Sequence, residues 1–328
     1  MTVGAASPDV LAIVGPTGTG KSAVAVEVAR RIGGEIISVD SRQAYRGMEI
    51  GTVAPTLEER SAVRHHGVAF LEPSERYSAG RFARLARGWI AEIEGRGAVP
   101  ILVGGTGFFL GALLAPIFRE PELDEARRER LRTWLAARPV GSLADWVRRI
   151  DDRLARQLGT IDRQRAARAL EVAFLTGRPL SWWHEFAPSQ EKPLAARVYV
   201  LQLPADENRR RIEDRVAELL ESGWEDEVGA LLRSGHDERA PGLSAVGYRH
   251  VVSLVRGELT RTEAMAAIFR DSWQYARRQR TWFRHQLPAG AVRLDARQPV
   301  AQLAERIAAA WRGDGERVAE HATGGRRG

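Results

Sequence analysis

Apolar residues follow two rhythms along the first hundred positions of the chain. Asp9-Val-Leu-Ala-Ile-Val14 is a short, β-branched apolar run that meets Gly15, which predicts a buried strand over 9–14. Lys21 to Ile32 carries apolar residues at helical spacing and stops at Gly33-Gly34. Glu35 to Val39 predicts a second strand, ending at Asp40. Tyr77 to Gly95 predicts a helix, with Phe82, Leu85, Trp89 and Ile93 on one stripe, and Val99 to Val103 a third strand that runs into Gly104-Gly105. Strands alternating with helices predict a parallel, doubly wound α/β sheet.

From about Ile117 the rhythm changes. Helices are predicted over 121–137, 142–151 and 162–176, and no strand signal returns until 197–203. Ser142 with Asp145 has the pattern of a capping box, and Asp162 and Gly177 read as the start and stop signals of their helix. Residues 117–196 therefore read as a helical insertion into an α/β core made of 9–116 and 197–312. Further helices are predicted over 207–222, 224–234, 244–256 and 261–285. Residues 313–328 are small and polar, the composition of a disordered tail.

Composition narrows the picture in three places. No apolar run approaches the ~18 residues of a membrane helix, and the N-terminus lacks the pattern of a signal peptide. Cysteine is absent, which removes disulfides and thiolate metal sites and fits a reducing cytoplasm, the expected location; a monomer is expected. Formal net charge is +7, and the stretch from Ser244 to Arg293 holds nine Arg against three acids. Such a segment suits a polyanionic partner. A general preference for Arg over Lys explains it equally well.

Gly15, Pro16, Thr17, Gly18, Thr19, Gly20, Lys21 and Ser22 match G-x-x-x-x-G-K-[ST], placed after a strand and opening a helix. Glycines let backbone N–H groups approach phosphate oxygens, the helix start adds partial positive charge, Lys21 adds a formal one, and the Ser22 hydroxyl suits Mg²⁺. Ligands of open parallel sheets sit at the carboxyl ends of strands. Three more segments are expected there: Asp40-Ser41-Arg42-Gln43, Gly104-Gly105-Thr106-Gly107, and His65-His66, the last weak as a metal site because no clustered acid supports it. Asp40 reads either as an Mg²⁺ or acceptor-hydroxyl aspartate of a kinase, or as a base that takes a proton from an acceptor nitrogen. Spacing leaves both open.

Together these segments are more specific than any one alone. Gly15 to Ser22, Ile37-Ser-Val-Asp-Ser-Arg-Gln-Ala-Tyr-Arg-Gly-Met-Glu-Ile-Gly-Thr52 and Pro100-Ile-Leu-Val-Gly-Gly-Thr-Gly107 resemble the tRNA dimethylallyltransferase family. Arg168-Ala-Leu-Glu-Val172 with Thr176-Gly177, Val246-Gly-Tyr-Arg249 and Arg277-Arg-Gln-Arg-Thr-Trp-Phe-Arg284 follow in family order, so the resemblance runs from about residue 10 to 286. It implies an α/β fold, a P-loop NTPase-like parallel-sheet core with an inserted all-helical domain that binds tRNA. It also implies transfer of a dimethylallyl group from dimethylallyl diphosphate to N6 of the adenosine 3′ to the anticodon.

By the same resemblance, Gly15 to Ser22 would hold the diphosphate with Mg²⁺, Asp40 would be the base on N6, and Thr106 would touch nucleotide and substrate. Arg215 would lie near the diphosphate. Asp40, Ser41, Arg42, Gln43, Thr106, Arg128, Gln164, Arg165, Arg168, Gly247, Arg249, Arg277, Arg278, Gln279, Thr281 and Arg284 would contact the anticodon stem-loop. The family's usual residues are replaced at Gly159-Thr160-Ile161, at Ser272-Trp273-Gln274 and at Leu219. A zinc-finger tail, found in some eukaryotic relatives, has no counterpart in a chain without Cys.

Chemistry agrees with that reading. Adenine N6 is a weak nucleophile, so the site must stabilise departing diphosphate and remove the N6 proton, and a stacked adenine must be drawn out to be reached. Met265, Ile268, Phe269, Ser272, Tyr275, Gln279, Trp282 and Phe283 trace one largely apolar stripe, with Arg270, Arg277, Arg280 and Arg284 on another face. A small-molecule kinase on the same scaffold explains the phosphate loop and Asp40, but not the helical insertion or the aromatic–arginine run.

Overall fold

A computed structural model describes residues 10–115, 118, 123–187, 189 and 191–324. The expected starts at Asp9, Ile117 and Pro121 lie outside them. The chain divides into two compact units, residues 1–114 with 194–328, and residues 115–193.

The first unit begins β1 (Val10–Val14), α1 (Lys21–Ile32), β2 (Gly34–Ser38), α2 (Leu57–Ala62), β3 (His65–His66), α3 (Ala79–Gly95), β4 (Val99–Gly104) and α4 (Gly107–Leu114). The second unit holds α5 (Glu125–Ala136), α6 (Val140–Ile150), α7 (Asp152–Leu158), α8 (Arg163–Thr176) and α9 (Leu180–Phe186). The first unit resumes with β5 (Ala196–Gln202), α10 (Ala205–Glu221), α11 (Trp224–Arg233), a 3₁₀ turn at Gly242–Ser244, α12 (Tyr248–Val255), α13 (Arg261–His285), β6 (Val292–Asp295) and α14 (Val300–Gly324).

The sheet is parallel throughout, in the order β3-β2-β4-β1-β5-β6. Strand β1 lies between β4 (Leu11 beside Ile101) and β5 (Leu11 beside Arg197). Its side chains alternate between two buried faces. Val10, Ala12 and Val14 join Phe82, Ile90, Phe109 and Phe283. Leu11 and Ile13 join Val24 and Val28 of α1 and Leu303 and Ile307 of α14. Burial on both faces is why this strand reads as an unbroken apolar run. A third cluster gathers Tyr45 and Met48 with Trp224, Tyr248 and Ile268.

The second unit has its own core, with Leu135, Leu143, Val147, Leu154, Ile161 and Leu170 buried together. Asp162 caps α8 through the Arg165 N–H, and Gly177 ends it in a left-handed conformation (φ 71), as its sequence predicts. The Ser142–Asp145 capping box does not form. Helix α6 starts earlier, behind Pro139, so Ser142 is already helical and Asp145 pairs with Arg148 at 2.6 Å.

Other local expectations shift for tertiary reasons. The helix expected over 244–256 is broken by Gly247 (φ 92), where a Cβ would lie 2.3 Å from the Trp224 ring. Met265 leaves the apolar stripe and is exposed, whereas Ile268, Gln279 and Phe283 are buried. His65-His66 is itself the edge strand β3 rather than a segment at a strand's end, and the His66 Nε2 meets Glu35 at 2.7 Å. Among the described residues no group of three metal-ligating side chains forms. Helix α14 runs through Gly324, past the point where composition suggests a disordered tail.

Candidate phosphate and acceptor site

The carboxyl ends of β2, β4 and β1 are neighbours in the sheet, so the three loops that follow them share one end of the first unit. Loop 15–20 follows β1 and opens α1. Gly20 occupies the N-cap position in a left-handed conformation (φ 75) and offers no side chain to the helix start. The first N–H groups of α1 are therefore left for an anion. Thr19 is buried and turns its hydroxyl inward to the Pro16 carbonyl at 2.9 Å, which holds the loop's curve. Ser22 is exposed.

Lys21 is half-buried between opposing influences. Desolvation lowers its pKa to about 8, with Arg215 adding to the effect and Asp40 opposing it. Arg215 comes from α10, and among the described residues its guanidinium makes no ion pair or hydrogen bond. Lys21 thus lies within the field of a second cation and of one carboxylate, and the surplus positive charge favours a dianionic or trianionic ligand.

Asp40 follows β2. Its Oδ1 accepts the N–H of Arg42 at 2.8 Å and that of Gln43 at 3.4 Å. Oδ2 accepts no hydrogen bond among the described residues. Burial raises the carboxyl pKa, against the pull of the Arg42 N–H and Lys21. A fixed carboxylate with one free oxygen and increased basicity can receive a proton.

Thr106 follows β4. A Cβ at Gly104 would lie 2.1 Å from the Val39 carbonyl, so glycine is required for the two loops to touch. Val39 N–H donates to Val103 at 2.7 Å, Thr106 N–H to Val39 at 3.2 Å, and Ser41 N–H to the Thr106 Oγ1 at 3.2 Å. Asp40 and Thr106 therefore stand side by side. Tyr275 of α13 lies beside Thr106 and Gln279, within reach of the Asp40 charge.

The other sequence-singled residues divide by what they touch. The Arg42 Nη1 donates to the Pro241 carbonyl at 2.7 Å and Ser244 Oγ at 3.0 Å. Gln43 accepts from Ser38 Oγ at 2.8 Å and donates to the Val53 carbonyl at 2.8 Å, anchoring a β-branched residue with φ 52. Arg249 is exposed and paired with Asp271, which also meets His250. On α13, Arg277, Arg278, Thr281 and Arg284 are exposed, whereas Gln279 is buried.

In the second unit, Gln164 and Arg165 are exposed in the first turn of α8. Arg128 and Arg168 meet the buried Glu171 at 2.9 Å each, and Arg132 meets it at 2.6 Å.

Asn208 and Glu171, each within its own unit, organise their surroundings without having been singled out by sequence. Asn208 of α10 is buried, and its Nδ2 donates to the Thr17 carbonyl at 2.8 Å. It lies two turns before Arg215 on the same helix, a spacing that places both on one face. Glu171 gathers Arg128, Arg132 and Arg168; an acid amid arginines at helical spacing was the available signal.

A glycine-headed helix after a buried strand, with charged groups at adjacent ends of a parallel sheet, defines a P-loop α/β protein. The IPP transferase family model matches residues 43–286, and the isopentenyl transferase model matches residues 8–67. A tRNA dimethylallyltransferase of Syntrophobacter fumaroxidans is 40% identical over 275 residues, covering 84% of this chain and 80% of its own. The crystal structure of the tRNA isopentenylpyrophosphate transferase of Bacillus halodurans superposes with a TM-score of 0.66 at 33% identity, covering 95% of this chain and 99% of the other. A eukaryotic dimethylallyltransferase acting on tRNA gives a TM-score of 0.72 at 25% identity, over 88% of this chain and 73% of the other. The chain belongs to the IPP transferase family.

Proposed function

We propose that this protein is a tRNA dimethylallyltransferase, which moves the dimethylallyl group of dimethylallyl diphosphate to N6 of the adenosine 3′-adjacent to the anticodon. The products are N6-isopentenyladenosine in tRNA and diphosphate. The observation that carries the reading is the meeting of the phosphate loop, Asp40 and Thr106 at three adjacent strand ends, in a family with relatives of that name.

The chemistry follows from the groups present. N6 attacks C1 of the dimethylallyl group; the C1–O bond breaks and its electron pair leaves with diphosphate. Lys21, Arg215 and the open N–H groups at the start of α1 bind the charge that accumulates on the leaving group. The free Oδ2 of Asp40 receives the N6 proton. Thr106 orients the amine beside that carboxylate.

Mg²⁺ fits this donor set. A hard cation bound mainly by phosphate oxygens and water needs few protein ligands, and the exposed Ser22 hydroxyl supplies one. When bound, the metal neutralises diphosphate charge.

The exposed Arg277, Arg278 and Arg284, with Arg165, bind phosphates of the anticodon stem-loop. The protein acts as a monomer in the cytoplasm. Among the described residues, no helix is long and apolar enough to cross a membrane.

The test is incubation with Mg²⁺, radiolabelled dimethylallyl diphosphate and unmodified tRNA, beside Asp40→Ala protein and beside labelled ATP. Label enters tRNA with the wild-type protein and not with Asp40→Ala. Phosphate transfer from ATP to a small acceptor, with no label in tRNA, would identify a kinase instead.

A further inference from the structure

We infer that Gln279 is a positioning residue of this site, a buried strut that fixes the phosphate loop against the turn carrying Thr106. Gln279 lies in the stretch whose resemblance marks it for RNA contact, yet its side chain is only 6% exposed. Its Oε1 accepts the Thr17 N–H at 2.9 Å, and its Nε2 donates to the Gly105 carbonyl at 2.8 Å. One amide thus joins the loop after β1 to the loop after β4. Thr17 lies in the phosphate loop, and Gly105 immediately precedes Thr106. The strut therefore sets the separation between where the donor diphosphate binds and where the acceptor is held.

Three further observations support a built strut. A Cβ at Gly105 would lie 2.4 Å from Nε2 of Gln279, so the glycine is what admits the amide. Thr17 is held from its other side by Asn208, which donates to its carbonyl at 2.8 Å; a Cβ at Gly18 would lie 2.7 Å from that nitrogen. The neighbours Arg277 and Arg278 on α13 are exposed, so one helix presents cations outward and the strut inward. Reading a base with Gln279 would require breaking both bonds and unburying the amide. A primary amide is the side chain that both donates and accepts across this gap.

The role of this strut in prenyl transfer rests on the function proposed above, but its test begins with inorganic diphosphate and does not need the reaction. Calorimetric titration of Gln279→Met, matched in size but without the amide, is expected to show diphosphate bound about tenfold more weakly than by wild type. Anticodon stem-loop affinity and its salt slope are expected to stay at wild-type values.

Gln279→Glu provides a second reading and covers a Met variant that fails to fold. Its carboxylate accepts from Thr17 but cannot donate to Gly105 until protonated. Its diphosphate affinity relative to wild type therefore rises as pH falls from about 8 to about 6. Weaker stem-loop binding and a shallower salt slope, with diphosphate affinity intact, would overturn the strut and make Gln279 an RNA-reading residue. Wild-type diphosphate affinity in both variants would overturn it as well. A wild-type protein that binds diphosphate but transfers no prenyl group would sink the proposed function and leave the strut standing.

Discussion

Ser41 donates its backbone N–H to the Oγ1 of Thr106 at 3.2 Å, across 65 positions of sequence. That bond ties the loop carrying Asp40 to the turn after β4 and uses one acceptor site of the hydroxyl. The same hydroxyl also bonds the Tyr275 side chain, so a substrate amine would share it with these two partners. Thr106→Val keeps the shape and loses the bond. We expect kcat to fall about 10- to 100-fold with the fold retained, while Thr106→Ser keeps most of the activity. Steady-state kinetics beside circular dichroism checks both.

The pH profile of kcat/KM for dimethylallyl diphosphate should be bell-shaped. The acid limb reports Asp40, which must be ionised to accept a proton; because burial raises its pKa, the limb lies above the ordinary carboxylate range. The alkaline limb reports Lys21, which must be protonated to bind diphosphate, and falls near pH 8 in the free protein. In the profile of kcat, where bound diphosphate holds Lys21 charged, that limb lies at higher pH. An alkaline limb absent up to about pH 10 would contradict the Lys21 assignment, and an acid limb no higher than that of an ordinary aspartate would contradict the Asp40 assignment.

Burial is the main cause of the lowered Lys21 pKa, and like-charge repulsion from Arg215 adds a smaller part. Arg215→Gln should weaken diphosphate binding at neutral pH by about tenfold or more. The same change removes the repulsion, so the alkaline limb shifts to higher pH even as the rate falls. Titrating binding between pH 7 and 10 separates these effects. An unshifted limb would place Arg215 outside the field of Lys21.

Arg277, Arg278 and Arg284 are exposed along α13. Replacing any one with Ala should weaken tRNA binding across sequences and reduce the slope of log K against log salt by about one per lost phosphate contact. Diphosphate affinity should not change. Filter binding between low and moderate salt gives the slope, and an unchanged slope for all three would remove α13 from the RNA interface.

Glu171 is buried beside Arg128, Arg132 and Arg168, and the hydrogen bonds of Arg128 and Arg132 hold its pKa below the usual carboxylate value against the cost of burial. Its contribution is therefore present above the unfolded carboxyl pKa, about 4.5, and is lost as pH falls through the lower folded value. Glu171→Gln leaves three guanidinium groups without their shared counter-charge and should destabilise the protein by about 3 kcal/mol at neutral pH. Denaturant unfolding at pH 7 and pH 3 checks the size and sign, because the difference from wild type should shrink at the lower pH.

The local features of this protein were determined by sequence alone. A β-branched run ending in glycine makes β1, and the glycines that follow, with Lys21, make an anion site at the start of α1, because both depend on neighbours within a few positions. The stop at Gly177 and the cap at Asp162 have the same local cause. Short elements were less legible. β3 is two residues long and gains its identity only by pairing with Ile36 and Ile37, so His65-His66 carries no strand signal of its own. Tertiary structure decided what brings the chemistry together. Strand β4 lies between β2 and β1, which sets Thr106 beside Asp40; α10 and α13 return from more than 180 residues away to hold Thr17 from two sides. Gln279 shows the reason most clearly. Within its own helix it looks like one more polar residue between arginines, and only packing against two distant glycine-lined loops turns it inward.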